Sequence, residues 1–266
     1  MTGAHLIRPA ERVSLKDIDP DSTGGYSEAN ARKKTHADIE RLVELQHLLY
    51  AENRRSLLVV LQAMDAGGKD GTIRHVMSGV NPQGCQVTAF KVPSEEELDH
   101  DFLWRVHKAV PRKGNIGIFN RSHYEDVLAV RVHKLVPKTV WRARYRQINA
   151  FERLLVAGGM VILKFFLHIS KAEQKRRLEE RLSDPKKNWK FSLRDVEERK
   201  LWDQYQRAYD DALSRCSTAW APWCVVPANR KWYRNLVVAD RIVQTLEGLK
   251  MQYPKPTADL AKIRID

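Results

Sequence analysis

Leu57-Leu58-Val59-Val60-Leu61-Gln62-Ala63-Met64-Asp65-Ala66-Gly67-Gly68-Lys69-Asp70-Gly71-Thr72-Ile73-Arg74 is the stretch that decides the fold. It opens on a continuous apolar run, the pattern of a strand buried on both faces. Gly67 and Gly68 interrupt the run, Lys69 follows, and the spacing then turns helical through Ile73 and Val76. Strand, glycine turn, lysine and helix start together describe a phosphate cradle. Glycines let successive N–H groups point inward, the helix N-terminus adds partial positive charge, and the lysine reaches the outer phosphates. The usual form of such a loop is G-x-x-x-x-G-K-[ST]. Here Ala63 takes the first glycine position and Asp70 the Ser/Thr position. The alternative is a glycine-rich turn without a ligand, against which the apolar strand and the Gly-Gly-Lys core both speak. The candidate phosphate-binding set is therefore Ala66, Gly67, Gly68, Lys69, Asp70, Gly71 and Thr72, with Arg74 behind them.

Outward from this loop, strands and helices alternate. Before it, residues 27–55 are helical in pattern, with Ile39, Leu42, Val43, Leu45 and Leu49 on one face. Residues 1–26 carry turn formers and few apolar residues, which predicts an extended arm wrapping the domain or partly disordered. After the loop, residues 85–92 read as a strand, and Ser94-x-x-Glu97 is a capping-box signature for a helix to Ala109. Ile116–Phe119 is a short apolar strand ending in Asn120-Arg121-Ser122-His123-Tyr124-Glu125-Asp126. Residues 139–157 predict a basic helix, 160–169 a central strand and 171–182 a charged helix. A basic, aromatic loop, Ser183–Phe191, precedes a helix capped by Ser192 and running to about Arg215. Trp223–Val226 is a last short strand, and Asn229 opens the terminal helix. The sum is about five β/α units: an α/β fold with a parallel sheet sandwiched by helices. Residues 1–266 are expected to form one P-loop kinase-like domain, with about 171–215 as a helical lid like that of nucleoside-monophosphate kinases. In such sheets ligands bind at the carboxyl ends of the strands, where Asp65 with Lys69 and Asn120 with Glu125 converge.

The composition, 43% hydrophobic and 30% charged over 266 residues, is that of a globular protein. No run approaches the roughly 18 apolar residues of a membrane span, and the N-terminal residues lack an apolar signal region. Cys85, Cys216 and Cys224 are odd in number and widely spaced, which argues against a disulfide framework or a CxxC metal knuckle and fits a reducing cytoplasm. The net charge of +13, from 46 Lys and Arg against 33 Asp and Glu, points to an anionic partner: nucleic acid, a membrane surface or a polyphosphorylated substrate.

Three motifs in order then meet one known family. Leu61–Thr72, Phe119–Asp126 and Asp184–Ser192 resemble the phosphate loop, the Walker B region and the lid of the polyphosphate kinase 2 family. The likeness covers roughly residues 35 to 250. It implies a P-loop kinase core in which inorganic polyphosphate donates a phosphoryl group to a nucleotide with Mg2+. The subgroup using mainly nucleoside diphosphates has Asp at the position of Asn120 and Asn at that of Glu125. Asn120 and Glu125 in this chain instead resemble class III, which accepts AMP as well as ADP. With no carboxylate at Asn120, the resemblance leaves Asp65 as the magnesium ligand.

Within that frame each candidate has a role and a plainer alternative. Lys69 neutralises the phosphate being transferred. Asp65, set among phosphates, needs a cation between, or is an Asx-turn residue. Arg121 clamps a phosphate, or pairs with Glu125 or Asp126. Glu125 acts through metal or water, or is a first-turn carboxylate. Arg177 and Arg181 share a helix face and with Lys187 and Lys190 would line a polyanion channel, or are solvated. Asn120, Arg121 and Glu125 are the candidate nucleotide contacts. The expected function is polyphosphate-dependent phosphorylation of AMP and ADP toward ATP, by direct in-line transfer. The competing readings are an ATP-dependent nucleoside-monophosphate kinase and a non-catalytic polyanion binder. No nucleic-acid motif or membrane segment is present. Self-association as a dimer or tetramer is implied by the resemblance alone.

Overall fold

A computed structural model describes residues 4–265. The parts of the N-terminal arm and of the expected domain at residues 1–3 and 266 lie outside them. The chain order is β1 (His5–Leu6), α1 (Glu28–Glu52), β2 (Ser56–Ala63), α2 (Lys69–Val76), β3 (Cys85–Ala89), α3 (Glu95–Asp99), α4 (Trp104–Ala109) and β4 (Ile116–Asn120). Then follow α5 (Ala129–Val132), α6 (Lys138–Ala157), β5 (Met160–His168), α7 (Lys171–Ser183), α8 (Leu193–Lys200), α9 (Trp202–Cys216), β6 (Trp223–Pro227) and α10 (Lys231–Gly248).

The strands form one sheet in the order β1-β6-β5-β2-β4-β3. Strands β2 to β6 are parallel, as the alternation required, and β1 adds an antiparallel edge beside β6. All eight residues of β2 are buried, as expected of a strand with neighbours on both sides and helices on both faces. Helices α1, α2 and α10 pack together in one layer and α5, α6 and α9 in the other. The chain leaves β2 for the far edge strand β3 and returns to β4 between them, so the loops after β2 and β4 lie side by side. That is the crevice where open α/β sheets bind ligands.

The arm does wrap the domain. Ile7 and Leu15 are buried, Val13 N–H donates to Ser214 Oγ and Leu15 N–H to Asp210 Oδ1. The expected strand over 85–92 ends at Ala89, because its partner ends opposite at Asn120. Two expected helices are each broken in two. Ser94 and Glu97 do form the capping box, but α3 stops at Asp99, and Asp101 makes a turn ahead of α4 by accepting from Leu103 N–H. The helix expected from Ser192 to Arg215 divides at Leu201: α8 buries no residue, whereas α9 buries Trp202, Ala208, Tyr209 and Leu213. Packing separates a segment beside the core from one within it. The terminal helix begins at Lys231 rather than Asn229, whose side chain instead accepts from Ser170 N–H and donates to Asp21.

Candidate active site

The loop after β2 takes the backbone its residues dictate. Gly68 has φ +100°, and Ala66 has φ +59°, left-handed although it carries a side chain. A Cβ on Gly67 would stand 2.5 Å from the Ala63 Cβ and 2.8 Å from the Met64 carbonyl oxygen, so only glycine fits there. The loop feeds directly into α2, whose first-turn N–H groups point back at it.

Two residues of α7 hold this loop from behind. Gln174 Nε2 donates to the Asp65 carbonyl at 3.0 Å, and Arg177 Nη1 to the Ala66 carbonyl at 3.0 Å. Arg177 also donates to the carbonyls of Ala228 and Asn229, while its Nε meets Glu173 at 2.6 Å. Burial is the main influence drawing its pKa down. Arg177 therefore lines no open channel: at 6% exposure its donors are engaged by the loop. Thr72 is turned inward as well, its hydroxyl donating to the Gly68 carbonyl. Arg74 is exposed on α2.

The end of β4 meets the loop by register. Leu61 pairs with Asn120, and Arg121 N–H donates to the Leu61 carbonyl. Arg121 sits at φ +62°. Its Nη2 donates to Asp65 Oδ1 at 2.8 Å, and Asn120 Nδ2 donates to Asp70 Oδ1 at 2.6 Å. Glu125 Oε1 accepts from Gln62 Nε2 at 3.1 Å. So Asp65, Asp70, Asn120, Arg121 and Glu125 are drawn together, as the sequence predicts. The ion pair expected within the Arg121–Asp126 segment forms elsewhere: Asp126 pairs with Arg144 at 2.9 Å.

Lys69 lies among these groups, its Nζ donating to the Ala63 carbonyl at 3.3 Å. Burial and the Arg121 charge lower its pKa, against the carboxylates of Asp65, Glu125 and Asp70. Arg121 is lowered by burial but raised on balance by Glu125 and Asp65. Tyr205 and Tyr209 of α9 approach the same carboxylates, and burial pushes both phenols up.

In the α7–α8 connection the cations are largely matched. Lys187 contacts Glu180 and, at 2.9 Å, Asp184; Arg181 donates to Asp195 at 2.8 Å. Lys190 Nζ lies 4.9 Å from the ring centre of Trp189, which is 78% exposed. Asp195 is raised by burial and by the Asp65 charge, which places this connection beside the loop.

Sequence reasoning passed over three residues here. Gln174 and Arg199 form a link, Arg199 Nη1 donating to Gln174 Oε1 at 2.9 Å. Arg234 is 3% exposed on α10, and its Nη1 lies where a Cβ on Gly68 would be. Nothing in its spacing marked Arg234, which follows Lys231 and precedes Asn235 on the same helix. Among the described residues no group of three or more His, Cys, Asp or Glu could hold a metal. No helix among them is long and apolar enough to cross a membrane.

The family model for polyphosphate kinase 2 matches residues 25–254. An AMP/ADP-polyphosphate phosphotransferase of Meiothermus ruber is 57% identical over 264 residues, 98% of this chain and 99% of that one. An ADP-polyphosphate phosphotransferase of Rhodopseudomonas palustris is 53% identical over 231 residues, 82% of this chain and 80% of that one. The crystal structure of polyphosphate kinase 2 from Arthrobacter aurescens superposes with a TM-score of 0.92 at 44% identity, covering 98% of this chain and 97% of that one. With the phosphate loop, the β4 cluster and these relationships together, the chain belongs to the polyphosphate kinase 2 family and is an enzyme of the kinase type.

Proposed function

We propose that this protein transfers phosphoryl groups from inorganic polyphosphate to AMP and ADP, yielding ADP and ATP. The observation that carries the reading is the joining of the loop to the β4 end through Asp65–Arg121 and Asp70–Asn120. It sets a phosphate cradle and a second, cation-bearing end side by side, as a two-substrate transfer between phosphates requires. The names of the Meiothermus ruber and Rhodopseudomonas palustris relatives supply the donor and acceptor class. Asn120 and Glu125, where the resemblance distinguishes subgroups, support AMP alongside ADP.

Lys69 and the N–H groups of Gly67 to Asp70 hold the donor's terminal phosphates, and Arg121 orients the acceptor phosphate opposite. Catalysis is by positioning and charge neutralisation. The donor set fits Mg2+: Asp65 is one oxygen ligand, and this ion takes most of its others from water and phosphates. When bound, it would neutralise charge between the phosphates and Asp65. The segment from α7 through α8 acts as the lid, while α9, set in the core, stays in place. We further propose a cytoplasmic enzyme, consistent with three unpaired cysteines, with no nucleic-acid partner. Self-association through the exposed β3 edge, where Val87 is half exposed, would give a dimer or tetramer. Pure protein with Mg2+ and AMP, offered polyphosphate or ATP as donor, tests the reading. Turnover with polyphosphate is expected; turnover with ATP alone would restore the nucleoside-monophosphate kinase alternative.

A further inference from the structure

The loop continues into a groove that the site described above does not use. Between α1, α2 and α10 lies a cavity of about 560 Å³, lined by Arg32, His36, His75, Ser78, Lys231 and Asn235 among others. Its position follows from the fold. The first turn of α2 forms the phosphate loop, and the last turn, with His75, forms a wall of the groove. Eight helical residues separate the two ends by about 12 Å. Arg234 joins them, with Nη1 against Gly68 and its Nε and Nη2 on Asn235 Oδ1 at 3.1 and 2.8 Å.

The charges in this groove are poorly matched by acids. Arg234 is buried, yet among the described residues it meets no carboxylate, only the neutral amide of Asn235. An isolated buried guanidinium is costly unless an anion accompanies it. Burial and the Arg177 charge bring its pKa down to about 10, so it remains cationic near neutral pH. Lys231 is exposed, with Glu180 at 3.9 Å as its ion-pair partner. Its surroundings include the charges of Arg177, Arg176 and Lys187. Arg32 pairs at the surface with Glu28 of its own helix, an exposed pair of small worth. Glu40 is the acidic residue of the lining, and His36 approaches it at 3.4 Å. By contrast Arg177 and Arg181 of α7 and Lys187 of the α7–α8 connection are each tied to a carboxylate at short range.

We propose that this groove holds the part of a polyphosphate donor beyond its reacting end, with Lys231 at the near end, backed by the buried charge of Arg234, and His75 and Arg32 at the far end. The proposal rests on the polyphosphate reading above and deepens it: the donor's tail runs along the outside of α2, away from the α7–α8 connection. A linear polyanion suits an elongated cleft of spaced cations, each contact releasing a condensed counterion. A donor as short as tripolyphosphate stays at the loop and does not reach Arg32.

The test is direct binding by titration calorimetry, wild type against the double variant Arg32→Glu, His75→Glu, the two far-end residues. Both side chains are exposed, so the fold is expected to persist, and unchanged far-UV CD and melting check this. Long-chain sodium polyphosphate should bind about 10-fold or more weakly to the variant, with a shallower salt dependence, each lost phosphate contact removing roughly 0.7–0.9 from the log–log slope. Tripolyphosphate should bind both proteins alike. Equal loss for both donors, or no loss for either, would overturn the groove assignment. Wild-type turnover with polyphosphate and AMP, run alongside, separates the two readings. If it is present while the binding results fail, only the groove is wrong; if it is absent, the donor assignment falls and the groove with it.

Discussion

Gln174 joins two elements, donating to the Asp65 carbonyl at 3.0 Å while accepting from Arg199 of α8 at 2.9 Å. It is 1% exposed. One amide thus ties the phosphate loop to the helix that follows the basic connection, and a rotation of α8 is felt at the backbone of Asp65.

Replacing Gln174 by leucine should leave the Asp65 carbonyl unpaired, at a cost of about 1–3 kcal/mol. The loop would then lose its alignment, and kcat is expected to fall roughly 10- to 100-fold, as for a misplacement of about 1 Å. Gln174→Glu keeps an acceptor for Arg199 but cannot donate to Asp65. It should lose kcat as severely as the leucine variant, whereas equal activity of Gln174→Glu and wild type would show that the α8 contact alone matters.

Asp65→Asn retains an acceptor for Arg121, so the pair at 2.8 Å can persist in neutral form. An amide is a poorer ligand for a hard cation than a carboxylate. The concentration of Mg2+ giving half-maximal rate should rise at least about 10-fold, equivalent to roughly 1.4 kcal/mol. A titration superposing on wild type would remove Asp65 from the metal site.

Lys164, on the central strand β5, has no exposed surface and gives its three protons to Glu152, the Tyr124 hydroxyl and the Cys216 carbonyl at 2.7, 2.8 and 2.6 Å. Glu152 accepts as well from Tyr124 and His123, in the segment that carries Glu125. Burial raises the Glu152 pKa, but Lys164 and His123 bring it below the ordinary carboxylate value. Lys164→Met strands that carboxylate and should cost about 3–5 kcal/mol in denaturant unfolding. Adding Glu152→Leu should recover a substantial part of the loss, so the two changes will not add. Simple additivity would mean the charges act independently.

His168 closes β5 with its Nε2–H on the Ile18 carbonyl at 3.0 Å, fastening the N-terminal arm. Burial lowers its pKa, outweighing the Ile18 and Leu15 backbone groups and Asp19, which favour the charged ring. The unfolded state takes up the proton first, near pH 6.5. The stability this histidine contributes is therefore whole above that pH and is lost as pH falls toward the lower folded value. His168→Gln keeps a donor for Ile18 and should flatten the stability curve between about pH 6.5 and 5. Urea midpoints across that range, variant against wild type, measure it.

The parallel sheet, the loop and the meeting of Asp65 with the Asn120–Glu125 segment were legible because each depends on local pattern: apolar runs, glycines, a lysine at a helix start. What stayed hidden depends on contacts between distant segments. Arg177 and Arg181 share a helix face by spacing, yet one reaches the carbonyls of Ala66, Ala228 and Asn229 and the other Asp195. Spacing fixes which way a side chain sets out, not what it finds. Lys164 disappears into an apolar run because its counter-charge lies in the preceding helix. The breaks after Asp99 and at Leu201 were equally invisible, since neither carries a glycine or proline; the first comes at a turn in which Asp101 accepts from Leu103 N–H, and the second from which helix enters the core.

The short antiparallel β1 pairs with β6 and leaves two residues of edge on that side of the sheet, against the five of β3. Very short edge strands blunt strand-to-strand pairing. The two margins are therefore unequal templates for another chain. Two copies joined strand to strand about a two-fold axis at β3 would run in opposite directions and close the pair. A ribbon would also need pairing at the other margin, where β1 offers only those two residues. A few residues of arm thus make that margin a poor one for further growth, a duty separate from anything they do for the catalytic crevice on the other side of β5.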